Sequence, residues 1–182
     1  PIQEILSNST RIQQSNDNHM HLTYRFVSLD RFSGLLHYFH RKRQLIISIP
    51  CQEEIDNNNK VTNLVDYANP NETWYSSPSH PFANYIEFNF QSNKIRLFSY
   101  QIKSSPNSQN TNHPKAWEIL GSNSRITWNI LDTRDNCLDL NEKSVTKHFV
   151  CNSPTQQFYQ YIRFHQINNW NSDPYCQSII SL

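Results

Sequence analysis

The chain has 182 residues, of which 36% are hydrophobic and 17% charged, and its formal net charge is +1. That length buries one sizeable core, and the near-neutral balance excludes broad electrostatic binding to nucleic acid or to an anionic membrane as the main activity. No apolar run reaches the roughly 20 residues of a membrane-spanning helix, and the cysteines (Cys51, Cys137, Cys151 and Cys176) include no Cys-x-x-Cys pair.

Residues 1–18 are polar and rich in Asn, Gln and Ser, and read as a tether from a preceding part of a parent protein that begins before Pro1. Residues 22–29 are strand-like without clean alternation. Asp30 then stands as an N-cap before Phe32, Leu35, Leu36 and Phe39, which recur at helical spacing, and Arg41, Lys42 and Arg43 close the run. This predicts a short amphipathic helix near 31–42, within an N-terminal extension of residues 1–43. His37 and His40 lie one turn apart and His19-Met20-His21 precedes them. Without a supporting carboxylate or Cys pattern they read as partly exposed flank residues rather than metal ligands.

From residue 44 to 182 the pattern is that of strands. Gln44–Ile49 is a short apolar strand stopped by Pro50, and 64–77 is a loop that must close around Trp74. In the next strand Ile86, Phe88 and Phe90 take one face, with Tyr85, Glu87 and Asn89 on the other. Phe98, Tyr100 and Ile102 mark another. Residues 116–132 read as a hairpin: Trp117 and Ile119 alternate with Glu118, Gly121-Ser122-Asn123 makes the tight turn, and Trp128 and Ile130 resume the alternation. Residues 145–150, 159–164 and 178–182 are further strand candidates. Many short strands with little helix predict a sandwich or barrel. Its expected core is Trp74, Ile86, Phe88, Trp117, Ile119, Trp128, Ile162 and Phe164.

No nucleophile elbow, phosphate loop or metalloprotease motif is present, and two glycines leave little backbone able to approach a phosphate. The chain is expected not to be an enzyme. Glu53-Glu54, and Asp132 with Asp135, read as solvated charge. The sequons Asn8-Ser9-Thr10 and Asn71-Glu72-Thr73 carry little weight in a chain so rich in Asn, Ser and Thr.

Several segments together resemble the discoidin, or coagulation factor V/VIII type C-like, domain. They are Asp66 through Trp74-Tyr75-Ser76, Tyr85-Ile86-Glu87-Phe88, Tyr100-Gln101-Ile102, His113-Pro114-Lys115-Ala116-Trp117 with Ile119 and Gly121-Ser122-Asn123, Trp128 with Leu131-Asp132, Cys137-Leu138-Asp139-Leu140, and Tyr161-Ile162-Arg163-Phe164. The resemblance implies an all-β, eight-stranded antiparallel jelly-roll sandwich of the galactose-binding-like type. The helix around Phe32–Phe39 is similar to the segment preceding this domain in intracellular, BTB-linked protist proteins. Secreted relatives pair a Cys at each end of the domain, whereas Cys176 here precedes the last strand, so four free thiols are expected. Carbohydrate-binding relatives hold calcium in the loop before the core Trp. This chain has Asp66, Glu72 and Thr73 near those positions but Tyr67 where a glycine would stand. No cofactor is therefore expected, with calcium at those three residues as the alternative.

The resemblance places ligands on loops at one end of the sandwich, which here brings forward His80, Lys103, Asn110, His113, Asn169, Trp170 and Asn171. An aromatic flanked by amides suits a sugar, and equally a protein partner. The arginine of many sugar-binding relatives has no counterpart, since Ser104-Ser105 follows Lys103. The leading expectation is a non-catalytic protein-interaction module within a larger intracellular protein or assembly, cytoplasmic or cytoskeleton-associated. The alternative is a lectin-like domain, extracellular, binding glycans or lipid headgroups.

Overall fold

A computed structural model of the chain describes residues 10–14, 20–24, 34–50, 61–65, 74–75, 85–104, 113–153, 155–170 and 178–179. The first described segments are β1 (Thr10–Gln14) and β2 (Met20–Tyr24), an antiparallel hairpin with Ile12 opposite Leu22. This corrects the reading of residues 1–18 as a tether throughout: local Asn/Gln composition hides a pairing that backbone hydrogen bonds make.

The helix α1 is Leu35–Arg41, shorter than expected. Gly34 stands at its N-cap without a side-chain bond, and Asp30 lies outside the described residues. Its C-terminus closes through Arg43, whose φ of 56° reverses the chain while Gln44 N–H bonds Phe39 O at 2.9 Å. Phe39 meets Phe90 edge to face at 5.3 Å, so α1 packs onto the same core as the strands that follow.

Those strands are β3 (Ile46–Ser48), β4 (Trp74–Tyr75), β5 (Tyr85–Asn89), β6 (Ser99–Lys103), β7 (Pro114–Ser122), β8 (Asn129–Arg134), β9 (Thr146–Val150), β10 (Tyr161–Asn169) and β11 (Ser178–Ile179), with 3₁₀ turns at Val61–Leu64 and Leu138–Leu140. An antiparallel sheet runs β3-β5-β10-β7-β8, the pair β6–β9 lies against it, and β11 pairs with β4. Nine strands after residue 44 are thus described where eight were expected, two of them only two residues long. The architecture is the expected antiparallel β-sandwich.

Between the layers, Trp117 is fully buried, parallel to Phe164 at 6.2 Å and edge-on to Phe149 of β9 at 5.2 Å. Its Nε1 donates to Tyr100 Oη at 2.7 Å, and that hydroxyl donates to Asp132. Asp132 also accepts from Arg134 Nε at 2.8 Å and from Asn152 N at 2.9 Å. A buried carboxylate is tolerated only when so fully bonded. Here it ties β6 to β7 and β8 through polar contacts, and Asp132 is therefore not the solvated charge that the sequence suggested. Burial, followed by the Asp132 bond, pushes the Tyr100 hydroxyl far above its usual range.

Ile86, Phe88, Trp117, Ile119, Ile162 and Phe164 are buried as expected, and the Trp74 side chain lies outside the described residues. Trp128 departs from expectation. The turn comes later than the sequence suggests: β7 runs through Gly121 and Ser122, and residues 123–128 form the connection. Ser122 Oγ accepts from Ser124 N and Arg125 N, and Ser124 Oγ from Ile126 N and Thr127 N. The turn is wound on hydroxyls, with Arg125 at φ 62°, rather than on a glycine. Trp128 consequently falls in the connection, half-buried on the outer face, and Ile130 is half exposed.

Candidate functional site

The antiparallel order gathers one set of connections at a single end of the sandwich. Asn169 at the end of β10 faces Pro114 at the start of β7, Lys103 at the end of β6 faces Thr146 at the start of β9, and Arg134 at the end of β8 faces Trp117. Lys103, His113, Asn169 and Trp170 all stand at strand ends on this side. His80, Asn110 and Asn171 lie outside the described residues, as do Asp66, Glu72 and Thr73 of the calcium alternative. Among the described residues no group of three His, Cys, Asp or Glu could hold a metal ion.

Burial divides the four. His113 is completely buried and Asn169 is 2% exposed, so neither side chain stands on the surface as a contact residue; both pack behind it where β7 and β10 meet. Lys103 and Trp170 are half-buried. Trp170 bends back toward β7: its backbone N donates to His113 O at 3.2 Å and its Nε1 to Cys137 O at 3.4 Å. Lys115 Nζ stands 4.7 Å from the indole centroid, within cation–π range. Sequence reasoning did not single out Lys115 as a neighbour of Trp170. Its signal was the two-residue spacing to Trp117, which puts it on the core-facing side of β7 at the strand's outer end.

Behind this pair lies Gln166, opposite Trp117 in the β7–β10 register and 1% exposed. Neither its amide nitrogen nor its oxygen has a hydrogen-bond partner among the described residues. Ser104, also buried, is engaged: its Oγ donates to Glu142 O and accepts from Val145 N at 2.9 Å.

A second polar cluster occupies the outer face of the large sheet. Glu87, on the strand face opposite Ile86 and Phe88, is 4% exposed. Its carboxylate accepts from Arg163 at 2.9 Å and from Arg125 at 2.7 Å, the latter arriving from the β7–β8 connection. The Arg163 guanidinium lies between the Tyr85 ring at 3.8 Å and the Trp128 ring at 3.9 Å, and Arg125 covers Tyr161 at 4.6 Å. One side of each of these three rings and both carboxylate oxygens are engaged by the two arginines. This cluster clamps residues 123–128 onto the sheet rather than presenting groups to a ligand.

Cys137 and Cys151 are free thiols, and Cys51 and Cys176 lie outside the described residues. Burial raises both thiol pKa values, that of Cys151 to about 11 with help from the Asp132 charge. Neither is an activated nucleophile, which requires the opposite shift.

No protein-family model and no curated protein sequence matches the chain. Solved structures do. CpGH89CBM32-5 from Clostridium perfringens, in complex with GalNAc-β-1,3-galactose, superposes with a TM-score of 0.58 at 10% identity, over 77% of this chain and 94% of that one. The family 32 carbohydrate-binding module of NanJ from C. perfringens, in complex with galactose, gives 0.55 at 15% identity over 77% and 92%. CBM32-1 from a family 31 glycoside hydrolase of the same organism gives 0.54 at 9% identity over 74% and 90%. The BTB-linked versions of the resemblance have no counterpart among these three. At such identities the likeness is one of fold: the chain has the galactose-binding-like β-sandwich fold that these carbohydrate-binding modules share with discoidin domains.

Proposed function

We propose that the chain is a non-catalytic glycan-binding module whose binding surface is the end of the sandwich carrying Trp170 and Lys115. This places the lectin-like alternative ahead of the protein-interaction reading. The observation that carries it is the half-buried indole of Trp170, held in place by Cys137 O and flanked by Lys115 at the loop end. A sugar offers an apolar C–H face to such a ring and hydroxyls to the donors around it. The fold supports the reading, since two of the structures superposed on this chain are modules solved with galactose and with GalNAc-β-1,3-galactose.

A protein partner at the same end is the second reading. It is favoured by Leu138, which is 66% exposed beside Cys137. A glycan array probed with the 182-residue chain, with and without calcium and alongside a pull-down of protein partners, separates the two. The glycan reading expects selective signals that Trp170→Ala abolishes. Protein capture that Trp170→Ala weakens, with a blank array in both conditions, would replace it.

A further inference from the structure

We infer that the loop-end site selects acidic sugars, with Lys115 as the residue that reads the carboxylate. This inference rests on the glycan-binding reading above and names its ligand class.

The argument starts from charge pairing. Arg125 and Arg163 end on Glu87, and Arg134 ends on Asp132. Among the described residues Lys115 has no such partner, and its ammonium meets the Trp170 ring, 4.7 Å from Nζ to the centroid. The carboxylate of Asp139, one turn of chain beyond Cys137, is met by Cys137 Sγ at 3.8 Å and forms no ion pair with Lys115. A half-buried ammonium has given up part of its hydration, and an indole face returns only part of that loss. The strongest complement for it is a carboxylate, which adds the attraction of opposite charges to the hydrogen bond that a neutral hydroxyl would also accept.

Position completes the case. Lys115 and Trp117 share one face of β7, so Lys115 stands at the mouth between the sheets. Cys137 N donates to Lys115 O at 2.9 Å, and Cys137 O accepts from the Trp170 indole. The Lys115 backbone and the Trp170 indole are thus both tied to Cys137. A sugar ring against Trp170 would bring a substituent on its ring within reach of Nζ. In a uronic acid that substituent is the C6 carboxylate, and in the parent hexose it is an uncharged hydroxymethyl.

Calorimetric titration with galacturonic acid and with galactose, which differ only at C6, tests this at low ionic strength. Galacturonate is expected to bind about tenfold more tightly, with the preference shrinking as salt rises. Lys115→Met, which keeps the stem, should bring the ratio to about one, whereas Lys115→Arg should preserve a preference. Unchanged near-ultraviolet circular dichroism verifies that each variant folds. Equal or tighter galactose binding, or a preference that survives Lys115→Met, overturns the acidic-sugar inference while leaving the glycan reading intact. If neither sugar binds and the array is blank, both fall.

Discussion

The Glu87 carboxylate stands 2.9 Å from the Arg163 guanidinium, directly across the β5–β10 register. Glu87 is almost wholly buried, and Arg163 is itself enclosed by Tyr85 and Trp128. Removing the charge leaves a buried cation without its partner, which costs far more than an exposed pair is worth. Glu87→Gln is expected to lower unfolding stability by about 3 kcal/mol. Urea denaturation measures it, and a double-mutant cycle with Arg163→Met should show coupling above 0.5 kcal/mol, as neighbours in one network do. Arg125, half exposed, should contribute little.

Gly121 supplies room rather than a turn. A Cβ there would lie 2.7 Å from Cδ2 of the Tyr159 ring, and Tyr159 cannot swing away because it is 1% exposed with its hydroxyl bonded to Asn129 and Gln157. Gly121→Ala should therefore destabilise by about 1–3 kcal/mol, the range for overpacking, although alanine suits a strand better than glycine does. Thermal denaturation with no loss of stability would refute the close contact.

Alkaline pH should weaken the fold. The Cys151 thiol is raised from 9.0 to about 11 by burial and the nearby Asp132, and the Tyr100 hydroxyl is raised in the same direction. A folded-state pKa above the unfolded value means that the native state holds more protons between the two. The associated stability is present in full below pH 9 and is lost as pH rises toward 11. Stability measured by urea across that window should fall, and Cys151→Ala should flatten the slope.

Gln166 offers a test with the opposite sign. Its buried amide has no partner among the described residues, and an unsatisfied buried polar group costs roughly 1–3 kcal/mol. Gln166→Leu, similar in volume, is expected to raise stability by about 1 kcal/mol. A loss of stability in urea would show that the amide is engaged.

The sandwich was legible because alternation records which face a strand buries. Ile86 and Phe88, Trp117 and Ile119, and Ile162 and Phe164 were each assigned correctly from period two alone. The same alternation sets Glu87 on the opposite face but does not reveal that this face is covered there. Its burial depends on Arg125 and Arg163, 38 and 76 positions away, and on a connection that folds back over the sheet. Gly121 misled for a related reason: a glycine signals either a turn or a close approach, and only the Tyr159 ring decides which. The site divides the same way. Trp170 stands out in sequence as an aromatic among amides. His113 and Asn169 look identical in kind to surface residues, and Lys115 gains its meaning only when β10 brings the indole alongside it.

The most direct test of the loop-end account is a titration of the ¹⁵N-labelled chain with galactose, galacturonic acid and GalNAc-β-1,3-galactose, followed by backbone and indole amide shifts. The account expects saturable shifts centred on the Trp170 indole, Lys115, Lys103 and Cys137, with none on the Tyr85–Arg163–Trp128 face. Shifts confined to that outer face, or none with any of the three at millimolar concentration, would contradict it.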